Sequence, residues 1–130
     1  MTDVDSEPSF RLDQHLRIRH TRDFDAAYRT RIRRAVGPLL VYGRPNGRPQ
    51  TRLGMSVPRR AGNAVVRNLI KRRLRESFRL LQHDLPAGYD VVVNVKPHEP
   101  LSLAAYQDLL SRACHELHRH WTRRPNTPAE

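Results

Sequence analysis

Cysteine occurs once in this 130-residue sequence, at Cys114, so no intrachain disulfide can form and no cysteine-rich zinc site can assemble. Lysine is nearly as scarce: Lys71 and Lys96 are the only two, which leaves 22 of the 24 basic residues as arginine. A long apolar run is missing, and the first ten residues, MTDVDSEPSF, are acidic and polar with no hydrophobic centre. Neither a membrane association nor a secretory signal is supported, and a cytoplasmic location is expected. The acids are few and scattered. Asp23 and Asp25 suit the first turn of a helix, Asp84 ends one, Asp90 begins a strand, and Asp108 and Glu116 fall on an exposed helix flank. No two are placed as a paired acid and base or as catalytic metal ligands, which argues against a nuclease centre carried by the protein itself. His115, His118 and His120 read as solvent-facing or helix-dipole partners rather than as a metal site.

What is abundant is positive charge. Lys+Arg 24 against Asp+Glu 13 gives a net charge of +11, the electrostatic footprint of a nucleic-acid binder. The arginine bias has chemical meaning, because a guanidinium grips phosphate with two parallel donors and stacks on bases, whereas an ammonium is a point charge. The charge is concentrated in GMSVPRRAGNAVVRNLIKRRLRESFR, residues 54–79. Between Arg52 and His83 there are nine Arg or Lys residues and one acid, Glu76. A helix starting after Asn63 places Val66, Ile70, Leu74 and Leu81 in one arc at about 100° per residue, the buried face. Lys71, Arg75, Asn68, Arg79 and Arg72 fall on the opposite third, with Arg67 at its border. Cations three and four residues apart repel by a few tenths of a kcal/mol per pair, so the fold gains nothing from stacking them. An anionic partner explains them. Gly62 permits a tight turn and Asn63 caps the helix.

The remaining elements follow from periodicity and punctuation. Residues 1–10 and 123–130 read as tails around one domain spanning 11–122, and 11–20 as an extended lead-in. Thr21 is expected to cap a helix running to about Arg29, with Phe24 and Tyr28 four apart on one face, either as core or as a surface for stacking. Strands are expected at Pro38–Tyr42 and Thr51–Val57, joined as a hairpin across the turn-rich loop Gly43–Gln50. The run Tyr89–Val95 reads as a central strand apolar on both faces. Ser102 is expected to cap a last helix, Leu103 to Trp121, whose Tyr106, Leu110, Ala113, Leu117 and Trp121 form a core stripe. The order helix, strands, helix, strand, helix predicts a small α+β two-layer sandwich.

The residues Gly54-Met55-Ser56-Val57-Pro58-Arg59-Arg60, then Gly62-Asn63-Ala64-Val65-Val66-Arg67-Asn68, then Ile70-Lys71-Arg72 and Arg75-Glu76 resemble the signature of the bacterial ribonuclease P protein subunit. That family carries an Arg-Asn-Arg triplet followed by x-Lys-Arg on its second helix. Here the triplet reads Arg67-Asn68-Leu69, with Arg73 one turn on as a partial substitute for the third position. The likeness extends over about residues 14–120.

The resemblance implies a ribosomal protein S5 domain 2-like fold, α-β-β-(β)-α-β-α, with one strand more than periodicity reveals and a left-handed βαβ crossover through the basic helix. It implies that Arg67, Asn68, Lys71, Arg72 and Arg75 face the catalytic RNA of ribonuclease P. Phe24, Tyr28, Arg59 and Arg60 would line a cleft for the single-stranded 5′ leader of precursor tRNA. Hydrolysis would belong to the RNA and its Mg²⁺, with no cofactor on the protein, which would be a monomer bound once per RNA. Two rival readings stand beside it: a structural or assembly RNA-binding protein without a catalytic partner, and a nuclease acting alone.

Overall fold

A computed structural model describes residues 14–123; the expected tail at 1–10 and all of the one at 123–130 except Arg123 lie outside that range. The chain opens with a 3₁₀ turn, Gln14–Leu16, and an extended segment whose Ile18 N–H donates to the carbonyl of Leu53 at 2.9 Å. Helix α1 follows at Thr21–Thr30, then strands β1 (Arg33–Val36), β2 (Leu39–Pro45) and β3 (Arg52–Ser56). A second 3₁₀ turn, Arg59–Ala61, leads into helix α2 (Ala64–Leu81), strand β4 (Tyr89–Val95) and helix α3 (Leu103–Arg123). The four strands are ordered β1-β2-β4-β3, antiparallel except for β3 against β4.

That order corrects the expected hairpin between the second and third strands. β2 pairs instead with β1, across a turn at Gly37, whose φ of +57° suits a residue without Cβ. The loop after β2 passes over the start of β4 to reach the far edge. Asn46 ties it down, its N–H donating to Gly88 O at 2.8 Å and its Nδ2 to Gln50 O at 3.1 Å. β1 carries no clear apolar period because it is a short edge strand, half of it arginine, with Val36 alone buried.

β4 sits in the middle of the sheet, with every side chain but Asn94 buried. Val91, Val93 and Val95 join Leu39, Val41 and Leu53 in the main core beneath α2 and α3. α2 contributes Ile70, Leu74, Ser77 and Phe78, and α3 contributes Tyr106, Leu109, Leu110, Ala113, Cys114 and Leu117. Val66, Leu81 and Trp121, expected fully inside, pack at the margin. Burial pushes the Cys114 thiol up to about 12, so it behaves as a small apolar side chain. Ser102 caps α3 as expected, accepting from Ala105 N at 3.1 Å. At α1 the expectation fails by one residue: His20 holds the N-cap position without a side-chain bond, and Thr21 is already helical.

The other face of the sheet is covered by α1 alone, where Ile18, Ala27 and Val92 form a small second cluster with Phe24, Tyr28 and Tyr42 at its rim. Here Asp90 is completely buried. It accepts from Arg52 Nε at 2.8 Å, from Arg52 Nη2 at 2.7 Å and from Asn46 Nδ2 at 2.9 Å. Arg44 approaches it at 3.7 Å, and Arg52 also reaches Asp23 of α1 at 3.6 Å. Asp23 and Asp90 are therefore parts of one ionic node joining α1 to three strands.

Candidate nucleic-acid interface

The turn before α2 is made by sequence-local chemistry. Gly62 has φ +147° and ψ −179°, a region open essentially to glycine, and a Cβ placed there would stand 2.7 Å from Val66 Cγ1. Asn63 caps the helix, its Oδ1 accepting from Val66 N at 2.9 Å. Arg67 then turns back, its Nε donating to Gly62 O at 3.1 Å. Gly62→Ala is expected to cost about 1–3 kcal/mol of stability through this strain; a melting curve superimposable on the parent's would refute it.

The basic face of α2 divides into sectors. Asn68 and Arg72 point into solvent, while Lys71 and Arg75 are half-buried on the flank toward β3. Arg79 leaves the free set: Glu76, the one acid of the helix, accepts from it at 3.0 and 2.7 Å. Arg73 does not stand in for the arginine missing at Leu69. Its Nη1 donates to Leu101 O at 2.6 Å, which turns it toward the loop before α3, away from Arg72. Val65, in the first turn, is 77% exposed, an apolar spot beside the cations.

Across the sheet, Phe24, Tyr28 and Tyr42 form a row. Phe24 and Tyr28 lie 6.5 Å apart between ring centroids, Tyr28 meets Tyr42 edge-on at 4.9 Å, and the Arg33 guanidinium stands 5.9 Å from the Tyr42 ring. The ring of Phe24 rests on backbone at Gly54, where a Cβ would come within 2.9 Å of it. Burial pushes the Tyr28 hydroxyl up, so it stays protonated and donates to Asn94 Oδ1 at 2.8 Å. Both rings keep part of their surface outside. They are thus rim residues, neither wholly core nor wholly exposed.

Arg59 and Arg60 stand exposed on the 3₁₀ turn leaving β3, without an ion pair among the described residues. The structure brings Phe24 to Tyr28, and Lys71 and Arg75 to Phe24; it leaves Arg59 and Arg60 apart from these on their turn. Tyr42, Arg33, Arg17 and Arg19 were not singled out from the sequence. Alternation along β2 marks Tyr42, since Leu39 and Val41 face the main core and Tyr42 must face the other way. His115 and His118 do not converge: His115 bonds Ser111 O at 2.8 Å, and His118 pairs with the Tyr89 hydroxyl at 2.8 Å. Among the described residues no three His, Cys, Asp or Glu gather as metal ligands, and no helix is long and apolar enough to cross a membrane.

A mixed sheet backed by an arginine-rich helix, with a row of half-open aromatic rings on its other face, defines a small α+β protein shaped to receive a polyanion. A family model for Ribonuclease P matches residues 12–122, and the chain belongs to that family. It is similar to the ribonuclease P protein component of Desulfovibrio desulfuricans, 42% identical over 89 residues that cover 67% of this chain and 68% of the relative. Its fold is similar to that of the Staphylococcus aureus RNase P protein, with 31% identity, TM-score 0.67, and 75% of this chain and 91% of that one covered. The Thermotoga maritima RNase P protein matches likewise, with 31% identity, TM-score 0.66, and 72% and 90% covered. The chain is accordingly a protein subunit of the endoribonuclease that matures tRNA 5′ ends, and it has an RNA partner.

Proposed function

We propose that this chain binds ribonuclease P RNA through the outward sector of α2 and precursor tRNA through the aromatic row, so that the RNA and its Mg²⁺ cleave the leader at the mature 5′ end. The observation that carries this reading is the separation of two surfaces. Asn68 and Arg72, with Arg67 at the helix start, lie on the side of the sheet covered by α2 and α3; Phe24 and Tyr28 lie on the other. One protein can then hold two RNA chains at once. The cationic side screens phosphate from phosphate and lowers the Mg²⁺ needed to hold the catalytic fold. The aromatic side adds contacts that precursor has and mature tRNA lacks, which favours substrate over product. Arg59 and Arg60, exposed on the separate turn between β3 and α2, would take leader phosphates beyond the aromatic row. No side chain serves as acid, base or nucleophile; the protein is monomeric alone, joins the RNA one to one in the cytoplasm, and carries no cofactor.

The test is cleavage of a precursor tRNA at low Mg²⁺ by a bacterial ribonuclease P RNA, with and without the chain. Cutting at the mature 5′ end only with both components supports the reading. RNA binding without any gain in cleavage would favour the structural RNA-binding alternative. For the first surface, Arg67→Ala with Arg72→Ala is expected to weaken binding to the RNA and to flatten its log–log salt slope by roughly 0.7 to 0.9 for each lost phosphate contact. An unchanged slope removes both residues from the interface.

A further inference from the structure

One cavity of about 230 Å³ opens at the outer edge of β3, between the end of the aromatic row and the flank of α2, lined by Arg17 and Arg19 of the lead-in, Phe24 of α1, Met55 of β3, and Lys71 and Arg75 of α2. Four of these six are cations, and no acid lines the space. Among the described residues none of the four makes an ion pair. Arg17 Nε is shut off from solvent and has no hydrogen-bond partner among the described residues. The Arg75 guanidinium is held below its usual value, first by burial and then by the like charge of Arg17. A fold gains nothing by setting two half-buried cations side by side, whereas an anion between them turns repulsion into attraction. The backbone adds a neutral donor. Leu53 bonds outward to the lead-in, and by strand alternation Met55, two residues on, turns its N–H to the same open edge.

The volume falls below the roughly 300–1,000 Å³ of pockets that enclose a whole drug-sized ligand. A single phosphate group fits that scale. The recess shares Phe24 with the aromatic row, and a single strand can lay an unstacked base on such a ring with its own phosphate beside it, whereas a duplex keeps its bases stacked inside. Resting on the leader-binding reading above, we propose that this cavity holds a backbone phosphate of the precursor's single-stranded 5′ leader, next to the base that meets Phe24. Arg17 and Arg75 are its principal ligands, with Arg19 and Lys71 at the mouth. This moves Lys71 and Arg75 from the catalytic RNA to the leader, and gives the lead-in a role.

The experiment uses the assembled holoenzyme and precursor tRNAs carrying one uncharged methylphosphonate at successive leader linkages, with the parent chain, Arg17→Gln and Arg75→Gln. At one linkage, or two adjacent ones, the neutral group is expected to weaken parent binding about tenfold or more, as for loss of a charge-assisted hydrogen bond. In the Gln variants the same linkage should carry no further penalty, and Arg75→Lys should restore part of it. A penalty equal in parent and variants overturns the proposal, as does a loss of affinity for the catalytic RNA with leader recognition intact. A parent holoenzyme that does not distinguish precursor from mature tRNA at all shows instead that the leader-binding reading has failed, and the phosphate site with it. Because the Gln variants relieve a like-charge contact, they are expected to melt no lower than the parent, which separates lost binding from lost folding.

Discussion

Asp90→Ala is expected to lower the unfolding free energy by about 3–5 kcal/mol, the cost of removing one partner from a buried ion pair. The side chain of Asp90 is fully buried and Arg52 is only 8% exposed. With the carboxylate gone, the guanidinium loses two hydrogen bonds of 2.8 and 2.7 Å and, among the described residues, keeps only the acid Asp23, at 3.6 Å. Urea denaturation would measure the loss; a change under 1 kcal/mol would show that the node relaxes toward solvent. The effect also has a pH signature. Burial alone pushes the Asp90 carboxyl up, but hydrogen bonds from Arg52 and Asn46 and the charges of Arg52 and Arg44 outweigh it and hold the group below its ordinary 3.8. A carboxyl lowered by folding stabilises fully above its unfolded value, and that contribution disappears as pH falls through the folded value. The parent should therefore lose stability steeply below about pH 4, and Asp90→Ala should lose it less steeply. The consequence reaches function, because Asp23, the residue before Phe24, is held by the same arginine.

Phe24→Ala is expected to reduce the holoenzyme's preference for precursor over mature tRNA by roughly 1–3 kcal/mol, about 5- to 150-fold, the worth of one base stacked on an aromatic ring. The ring is half-buried against Gly54 and Ile18, so the substitution also removes some packing. Tyr28→Phe serves as the control. It keeps the ring beside Tyr42 and loses the hydroxyl's bond to Asn94 and its interaction with Ser56, at about 0.5–1.5 kcal/mol of stability with discrimination retained. Equilibrium binding of precursor and mature tRNA to each holoenzyme separates the effects. An unchanged ratio in a folded Phe24→Ala holoenzyme would reduce the ring to a packing element.

Much of the candidate site is legible before folding is considered. Asn63 and Gly62 do what their residue types suggest, the apolar arc of α2 points inward, and Ser102 caps α3. The central place of β4 is written in its apolar run Val91-Val92-Val93. Other features were hidden because they depend on partners far away in the chain. Arg73 sits one turn from Leu69, yet a carbonyl 28 residues later takes its side chain. Asp90 reads as an ordinary strand-start acid until Arg52, 38 residues earlier, is brought beside it.

Composition and short-range spacing by themselves determined that this chain is basic, arginine-based, α+β and suited to a nucleic acid, because charge, caps and helical faces depend on residues within a turn or two of one another. Only the tertiary structure decided the strand order, the buried Asp90–Arg52 node and the cavity where the lead-in, α1 and α2 converge. The physical reason is the placement of β4 between β2 and β3. That insertion sets β3 at the edge of the sheet, where the lead-in bonds to it and four cations from distant parts of the chain come to surround one space.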